Sequence, residues 1–259
     1  MNIIYEINPP KILQAEHMDL AMLNSEKDKF LQRVSIISEI TNDIHLTDSV
    51  LGIPRMSSVF AAQLLANTLK NSSFNISCSI RTRDRNLNSI IQSVADSLIA
   101  NVRSLLFILG DKPTFSHNNF ESFNEKPTEV VRALNNFGFN KFVNLVLSVP
   151  NRITNSKSIQ KKIEARPKSL ITQSISSISE IRTLNEILKP YKLDLIPCIM
   201  VPSQKNRKAA SIIGLDWSQY EGDFNSFIEQ IESEGIKEIL LTSPNSFDEG
   251  VQVLKKIIK

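Results

Sequence analysis

Residues 76–109 read ISCSIR-TRDR-NLNSIIQSVADSLIANVR-SLLFIL, and their pattern is the repeating unit on which the fold prediction rests. It begins and ends with short apolar runs, 76–81 and 104–109, of the kind that forms strands buried on both faces. The residues between the runs carry a helical apolar stripe, with Asn86 in the position of an N-terminal cap. The members of that stripe are Leu87, Ile90, Ile91, Val94, Leu98 and Ile99. The stretch therefore predicts one strand–helix–strand unit.

The same alternation continues along the chain in both directions. Eight short runs rich in Ile, Val and Leu recur, at residues 3–7, 44–47, 76–81, 104–109, 142–149, 170–173, 195–201 and 238–242. Helical patterns lie between them, in an apolar stripe at Phe30, Val34, Ile37 and Ile40 and in segments 126–137, 156–165, 179–188, 207–213, 224–234 and 247–258. Gly138 and Gly235 follow two of these segments, where a helix C-terminus favours glycine.

Eight alternations of strand and helix predict a single (β/α)8 TIM barrel of the α/β class, formed as one domain by residues 1–259. The alternative is an open, doubly wound sheet. Such a sheet usually carries a glycine-rich first turn at its ligand site. The chain has 7 glycines among 259 residues, and they form neither a G-x-G pair nor a G-K-[ST] sequence. The barrel is therefore the favoured prediction.

Composition limits the classes of partner and compartment. The net charge of +3 does not indicate a protein that coats nucleic acid, and no apolar run is long enough to span a membrane. The N-terminus has no secretory pattern, and the 2 cysteines are too few for a disulfide scaffold. These features predict a cytoplasmic protein with no membrane or nucleic-acid partner.

A barrel places its site at the carboxyl ends of its strands. Three carboxylates close predicted strands there, Glu6, Asp48 and Asp111. Glu6 interrupts an apolar strand, and a buried, unpaired carboxylate tends to hold a proton, which suits general acid–base catalysis. The alternative for Glu6 is an ion pair with one of the arginines that close the third strand.

Basic residues cluster at the start of the sixth strand and after the seventh, and barrels often bind phosphate near the loops after strands seven and eight. The alternative is a solvated helix face. The cluster comprises Lys157, Lys161, Lys162, Arg166, Lys168, Lys205, Arg207 and Lys208. The three histidines have no metal-ligand spacing, so the sequence predicts no metal site.

Five short motifs at the predicted strand ends, taken together, resemble the methylenetetrahydrofolate reductase family. YEINPPK at 5–11 resembles the family's E-x-x-P-P-[KR] opening, and LTDSVLGIPRMS at 46–57 resembles its second strand and loop. RDRN at 83–86 and LGDKP at 109–113 are similar to R-D-R-N and [TR]-G-D-x-P. KIEA at 162–165, followed by ITQ at 171–173, is similar to K-x-E-A…I-T-Q.

The resemblance implies a flavin-dependent oxidoreductase of one-carbon metabolism, which reduces a methylene group on tetrahydrofolate or an archaeal pterin and serves methionine biosynthesis. It implies FAD, or else FMN, as cofactor. It implies a reduced folate or related pterin as substrate, NAD(P)H or a partner protein as electron donor, and a homo-oligomer or partner subunit. Glu6 would be the acid and Asp111 would lie between flavin and pterin. Gln173 and Thr47 would bind the pterin, and the flavin would contact Thr47, Asp48, Arg83, Gly110, Asp111 and Lys162.

Two other functions stay open. The first is a non-catalytic barrel subunit that binds a pterin or flavin, since Ser79, Leu109 and Val149 depart from the family pattern. The second is a phosphate-binding aldolase-type barrel. That chemistry normally uses a Schiff-base lysine at a strand end, and no predicted strand has a lysine in its apolar interior.

Overall fold

The computed structural model describes residues 1–14, 17–68, 74–112, 124–150 and 156–258. Eight parallel strands form a closed barrel, which confirms the predicted fold class. A separate two-stranded antiparallel hairpin follows the first barrel strand. The barrel strands are β1 Asn2–Ile7, β4 Asp43–Leu46, β5 Asn75–Arg81, β6 Ser104–Ile108, β7 Asn144–Val149, β8 Ser169–Ser174, β9 Asp194–Met200 and β10 Glu238–Thr242. The hairpin strands are β2 Leu13–Gln14 and β3 His17–Met18.

The order around the barrel follows the order in the chain, with β1 beside β10. Each pair joins consecutive barrel strands, as repeated right-handed crossovers require. All eight observed strands overlap the eight apolar runs, because side chains buried on both faces leave a continuous apolar signature.

Nine α-helices lie among the described residues. They are α1 Leu20–Ser38, α2 Ser58–Thr68, α3 Leu87–Ile99, α4 Pro127–Asn136, α5 Ser156–Glu164, α6 Ile178–Leu188, α7 Arg207–Ile212, α8 Phe224–Ser233 and α9 Phe247–Ile257. Sequence patterning marks no segment for α2, which buries small residues such as Ala61 and Ala62 and lacks a clear stripe.

Two local predictions about helix ends are confirmed. The Asn86 side chain accepts a hydrogen bond of 2.9 Å from the backbone N–H of Ser89, which caps α3. Gly138 and Gly235 follow α4 and α8 with φ values of +83° and +78°, a backbone conformation that glycine adopts without steric cost.

Contacts between Cα positions divide the chain into two compact units. The first unit comprises Met1–Glu6 and Ser148–Lys259, and the second comprises Ile7–Leu147. Each has its own buried apolar residues, such as Tyr220 and Leu184 in the first and Phe107 and Leu65 in the second. That residues 1–259 form one domain stays a prediction. In the described part of the chain, no helix has the length and apolarity needed to cross a membrane.

Candidate functional site

In the first unit, Glu6 points toward the inside of the barrel. Its neighbour Tyr5 makes an edge-to-face contact with Phe247 of α9, with ring centroids 6.4 Å apart, so Tyr5 faces the helices. Successive side chains of a strand point to opposite faces, which turns Glu6 inward. Tyr5 pairs with Leu241, so Glu6 lies beside Thr242, and the Thr242 hydroxyl donates a 2.6 Å hydrogen bond to Glu6 Oε1.

The environment of Glu6 favours its protonated form. Burial of the carboxyl group raises its pKa above the ordinary value, and the hydrogen bond from Thr242 offsets only part of that rise. The residue nevertheless keeps partial solvent exposure. A raised pKa in a carboxyl group of a partly exposed residue is the property that general acids share.

Cys198 and two hydroxyl side chains lie on neighbouring strands of the same unit. The Cys198 N–H donates a 2.9 Å hydrogen bond to Thr172 Oγ1, and its Sγ lies 3.6 Å from Ser174 Oγ. Burial, with a smaller contribution from the charge of Glu6, raises the pKa of Cys198 to about 12. The thiol is therefore protonated and a poor nucleophile. Gln173 falls at a register shift in β8 and is exposed.

The loops after β9 and β10 are joined by the fully buried Asn206. Its Nδ2 donates 3.0 Å hydrogen bonds to the Val201 carbonyl and to Ser243 Oγ, and its Oδ1 accepts one of 3.0 Å from the Asn245 N–H. Ser243 Oγ donates in turn to the Ser246 carbonyl, at the start of α9. This network fixes both loops at the carboxyl ends of their strands.

The predicted phosphate-binding lysines are mostly solvent-exposed. Lys161, Lys168 and Lys205 are exposed, whereas Lys162 in α5 is half-buried, and that burial lowers its pKa. Lys162 lies on a helix of the first unit rather than at a strand end. A ligand-binding role for it stays a prediction.

In the second unit, Asp48 is buried and paired. It is 3% exposed, its carboxylate accepts from the backbone N–H of Arg81 at 3.1 Å, and it forms a 2.9 Å ion pair with Arg85. Arg81 is also buried and pairs with Asp84 at 2.7 Å. Two of the arginines that close β5 therefore have carboxylate partners within their own unit.

Two further predicted residues of the second unit, Thr47 and Asp111, hydrogen-bond to residues in other loops of that unit. Thr47 Oγ1 donates to Asn8 Oδ1 at 2.7 Å. The Asp111 carboxylate accepts from the Leu51 N–H at 2.8 Å, which ties the loop after β4 to the loop after β6. Leu51 holds a left-handed φ of +58°, an unusual conformation for a leucine.

Gly110 packs closely against Arg81 and hydrogen-bonds to Arg83. Its φ is +81°, and a Cβ at this position would lie 3.0 Å from Arg81 Cβ. The Gly110 carbonyl accepts from Arg83 Nε at 3.1 Å. The close approach that makes glycine necessary here is thus to a side chain of the protein itself.

His45 is not among the predicted site residues, yet it is buried and contacts two serine hydroxyl groups in the second unit. Its Nδ1 lies 2.9 Å from Ser77 Oγ and its Nε2 lies 2.8 Å from Ser79 Oγ. Ser77 Oγ also donates to the Ile44 carbonyl, so it accepts from Nδ1–H, and Ser79 donates to Nε2. Burial lowers the pKa of His45 to about 4, which makes the imidazole a weak base.

The cluster could have been found from strand pairing. His45 pairs with Ser77, and Ser79 lies two residues further along β5 on the same face. The described residues contain no group of three His, Cys, Asp or Glu side chains arranged to hold a metal ion.

Several solved structures share the fold of this chain. QR15, described as an aldolase, has a TM-score of 0.58 and 9% identity, and the match covers 98% of this chain and 92% of that one. The deoxyribose phosphate aldolase of Aeropyrum pernix has a TM-score of 0.57 and 10% identity over 98% of this chain and 88% of that one. Oxaloacetate acetylhydrolase, solved with 3,3-difluorooxalacetate, has a TM-score of 0.58 and 9% identity over 92% and 74%. No family model and no curated protein matches the chain.

These comparisons correct the functional predictions. The resemblance to methylenetetrahydrofolate reductases is wrong, because these structural neighbours are two aldolases and an acetylhydrolase and no family model matches the chain. The oxidoreductase class, the pterin-reducing function with its non-catalytic alternative, and the FAD or FMN cofactor are wrong for the same reason.

The contacts give a physical reason for the error about the cofactor. Polar groups assigned to flavin in the second unit hydrogen-bond to other groups of the same unit, as in the pairs Asp111–Leu51 and Arg83–Gly110. The ligand-binding and catalytic roles assigned to individual residues stay predictions.

Proposed function

We propose that the chain is a lyase-type barrel enzyme that makes or breaks a carbon–carbon bond beside a carbonyl group, with Glu6 as its general acid–base. The observation that carries the proposal is the state of Glu6, an inward-facing carboxyl group with a raised pKa that remains partly exposed. The names of the neighbours, which are aldolases and an acetylhydrolase, support the class of reaction but not a substrate.

The hydrogen bond from Thr242 defines how Glu6 would act. Because the Thr242 hydroxyl donates to Oε1, the carboxyl proton is left on Oε2. As the carbon–carbon bond breaks, its electron pair would go to the carbon beside the carbonyl group, and Oε2 would give its proton to that carbon. The resulting Glu6 carboxylate would take up the proton that the cleaved hydroxyl group loses on becoming a carbonyl group, and the reverse direction would run the same two transfers backwards. Proton transfer by a positioned side chain contributes roughly 100- to 10,000-fold to rate.

The chemistry differs from that of a Schiff-base aldolase. The strands of the structure, β1 to β10, contain no lysine, so no strand residue offers an amine to the substrate carbonyl. Cys198 is protonated and does not supply an alternative nucleophile. Proton transfer by Glu6 is therefore the step that the residues of the first unit support.

Deuterium exchange tests the proposal without knowledge of the full substrate. Small aldehydes and 2-oxoacids would be incubated with the protein in D2O, and exchange at the carbon beside the carbonyl would be followed by proton NMR. We expect catalysed exchange with at least one member of the panel, reduced about 100-fold or more in Glu6→Gln.

Glu229→Gln is the matched control, because Glu229 is an exposed carboxylate of α8 in the same unit. It should exchange at the wild-type rate. Exchange that is equally fast in wild type and Glu6→Gln would disprove the role of Glu6. A wild-type protein that exchanges no member of the panel would count against the proposed reaction class.

A further inference from the structure

We propose that α2 and α3 form the interface of a symmetric dimer, in which Phe60 of each copy enters a groove between these two helices of the other copy. Two-fold dimers are the commonest oligomers, and the interface of such a dimer must fit a second copy of itself. Four features of the second unit point to this partner: the charge of the two helices, the shape of the groove, the state of its polar groups and the size of the face.

The helices α2 and α3 pack side by side and carry almost no charge. The sequence of α2 contains no Lys, Arg, Asp or Glu, and that of α3 contains only Asp96. The helix α9, by contrast, has acidic residues in its first turn and Lys255 and Lys256 in its last. A helix that faces water usually presents charged side chains, whereas the core of a protein interface is depleted of them. The composition of α2 and α3 is therefore that of a covered face.

A groove of about 300 Å³ lies between the two helices. Phe60 and Gln63 of α2 line it together with Ser93, Asp96 and Ile99 of α3. Phe60 is 54% exposed and Ile99 is 79% exposed, although both side chains are large and apolar. An apolar cavity of roughly 150 Å³ holds a benzene molecule, so the groove has room for one further phenylalanine ring. One face thus offers both the space and the aromatic side chain that fills it, as a two-fold interface needs.

Two polar side chains of the groove already have hydrogen-bond partners. The Ser93 hydroxyl donates at 2.9 Å to the Ser89 carbonyl, and the Gln63 amide donates at 3.3 Å to Asn67 Oδ1. Each bond lies within one helix. A second copy can therefore cover the groove without leaving these groups unpaired.

The size of the face suits a second copy. The helix α2 has 11 residues and α3 has 13. The outer halves of two helices of this length present roughly 600–700 Å² together, and a standard interface buries about 800 Å² on each partner. A partner of different sequence is usually matched through opposite charges. Since α2 and α3 offer a single charge, Asp96, apolar self-association is the better fit.

Sedimentation velocity of the full chain from about 1 to 100 μM tests the inference, because interfaces of standard size have Kd values in the micromolar range or below. We expect wild type to become dimeric within this range. Phe60→Glu and Ile99→Glu should each weaken the dimer about 100-fold or more, since each substitution would bury two charges, one per copy. Both positions are exposed in the single chain, so the variants should fold, and urea unfolding checks this.

Phe142→Glu is the matched control. Phe142 is 73% exposed in the turn before β7 of the same unit and does not line the groove. This variant should dimerise as wild type does.

Crosslinking locates the interface. Cys78 and Cys198 are buried, so Gln63→Cys adds a thiol in the groove to a chain whose own thiols are inaccessible. A short thiol crosslinker should join two copies of this variant, and adding Phe60→Glu should abolish the product. Gln230→Cys, at an exposed position of α8, is the matched control and should give no such product.

The inference is overturned if wild type stays a monomer up to about 100 μM, and a protein of different sequence would then be the remaining occupant of the groove. It is equally overturned if wild type forms a dimer that Phe60→Glu and Ile99→Glu leave intact, or that Phe142→Glu weakens as much as they do. These measurements need no turnover, so their outcome is independent of the reaction proposed for Glu6.

Discussion

The buried histidine of the second unit predicts a specific loss of stability at mildly acidic pH. His45 is 1% exposed, both of its ring nitrogens contact serine hydroxyls, and its pKa falls from 6.5 to about 4. The unfolded chain therefore binds a proton at a pH where the folded chain does not. Protonation of the unfolded chain lowers the free energy of unfolding as the pH falls below the unfolded pKa.

The size of the effect follows from the two pKa values. Between about pH 7 and pH 5, proton linkage with a shift from 6.5 to about 4 costs about 2 kcal/mol. At about pH 4 the cost reaches about 3 kcal/mol. This loss of stability is absent at pH values well above the unfolded pKa of His45. This loss is a large fraction of the total stability of a typical domain.

Urea unfolding of wild type and His45→Gln at several pH values between about 4.5 and 7.5 measures the loss. Circular dichroism reports on the whole chain, and Trp217 fluorescence reports on the first unit. Other groups that titrate in this range, Glu6 included, contribute to both proteins and cancel in the difference. We expect wild type to lose about 2 kcal/mol more than His45→Gln between about pH 7 and pH 5.

The control is His17→Gln, which removes an exposed histidine of the hairpin in the same unit. It should follow the wild-type pH dependence. If His45→Gln and wild type lose stability equally between pH 7 and pH 5, the proposed burial of a neutral imidazole is refuted. A His45 imidazole that titrates near its ordinary pKa by NMR would refute it as well.

Three further changes have expected outcomes of known sign. Gly110→Ala should lower the unfolding free energy by about 1–2 kcal/mol in urea titrations, from its φ of +81° and the crowding by Arg81, whereas Gly222→Ala, which meets no atom within 4 Å, should leave it nearly unchanged. Asp48→Ala should cost about 3 kcal/mol by the same measurement, because it leaves buried partners of the carboxylate unpaired; an effect below about 1 kcal/mol would contradict the observed ion pair. The raised pKa of Glu6 gives wild type a contribution to stability that is complete below the unfolded pKa of Glu6 and is lost as the pH rises through the higher folded pKa. Glu6→Gln should lack this pH-dependent contribution in denaturant titrations. Equal pH dependence of the two proteins would contradict the raised pKa.

The fold was predictable from sequence because its signal is repeated eight times. Each strand buries both faces, so runs such as 104–109 stand out without knowledge of what they pack against. Helix ends were readable where one residue determines the local geometry, as at Asn86 and Gly138. The helix α2 was not readable, because small buried residues such as Ala61 produce no apolar stripe.

Sequence alone could point to a site residue only where a charged side chain interrupts an apolar segment. Glu6 stands out because a carboxylate interrupts an apolar strand. His45 does not, since its partner Ser79 is 34 residues away and becomes adjacent only through the pairing of β4 with β5. Asn206 likewise needs the loops after β9 and β10 to be in place before its three hydrogen bonds can be recognised.

The error about the reductase has a physical explanation in the motifs themselves. Their polar residues contact one another within the second unit, as in Thr47–Asn8 and Asp111–Leu51. These hydrogen bonds connect loops at the carboxyl ends of the strands through groups of the protein itself. Motifs that match in order and spacing can therefore reflect loop-to-loop contacts rather than a shared cofactor. A buried ionisable group such as Glu6 is stronger evidence for a ligand site, because its burial costs stability and the packing of the barrel does not need a carboxyl group there.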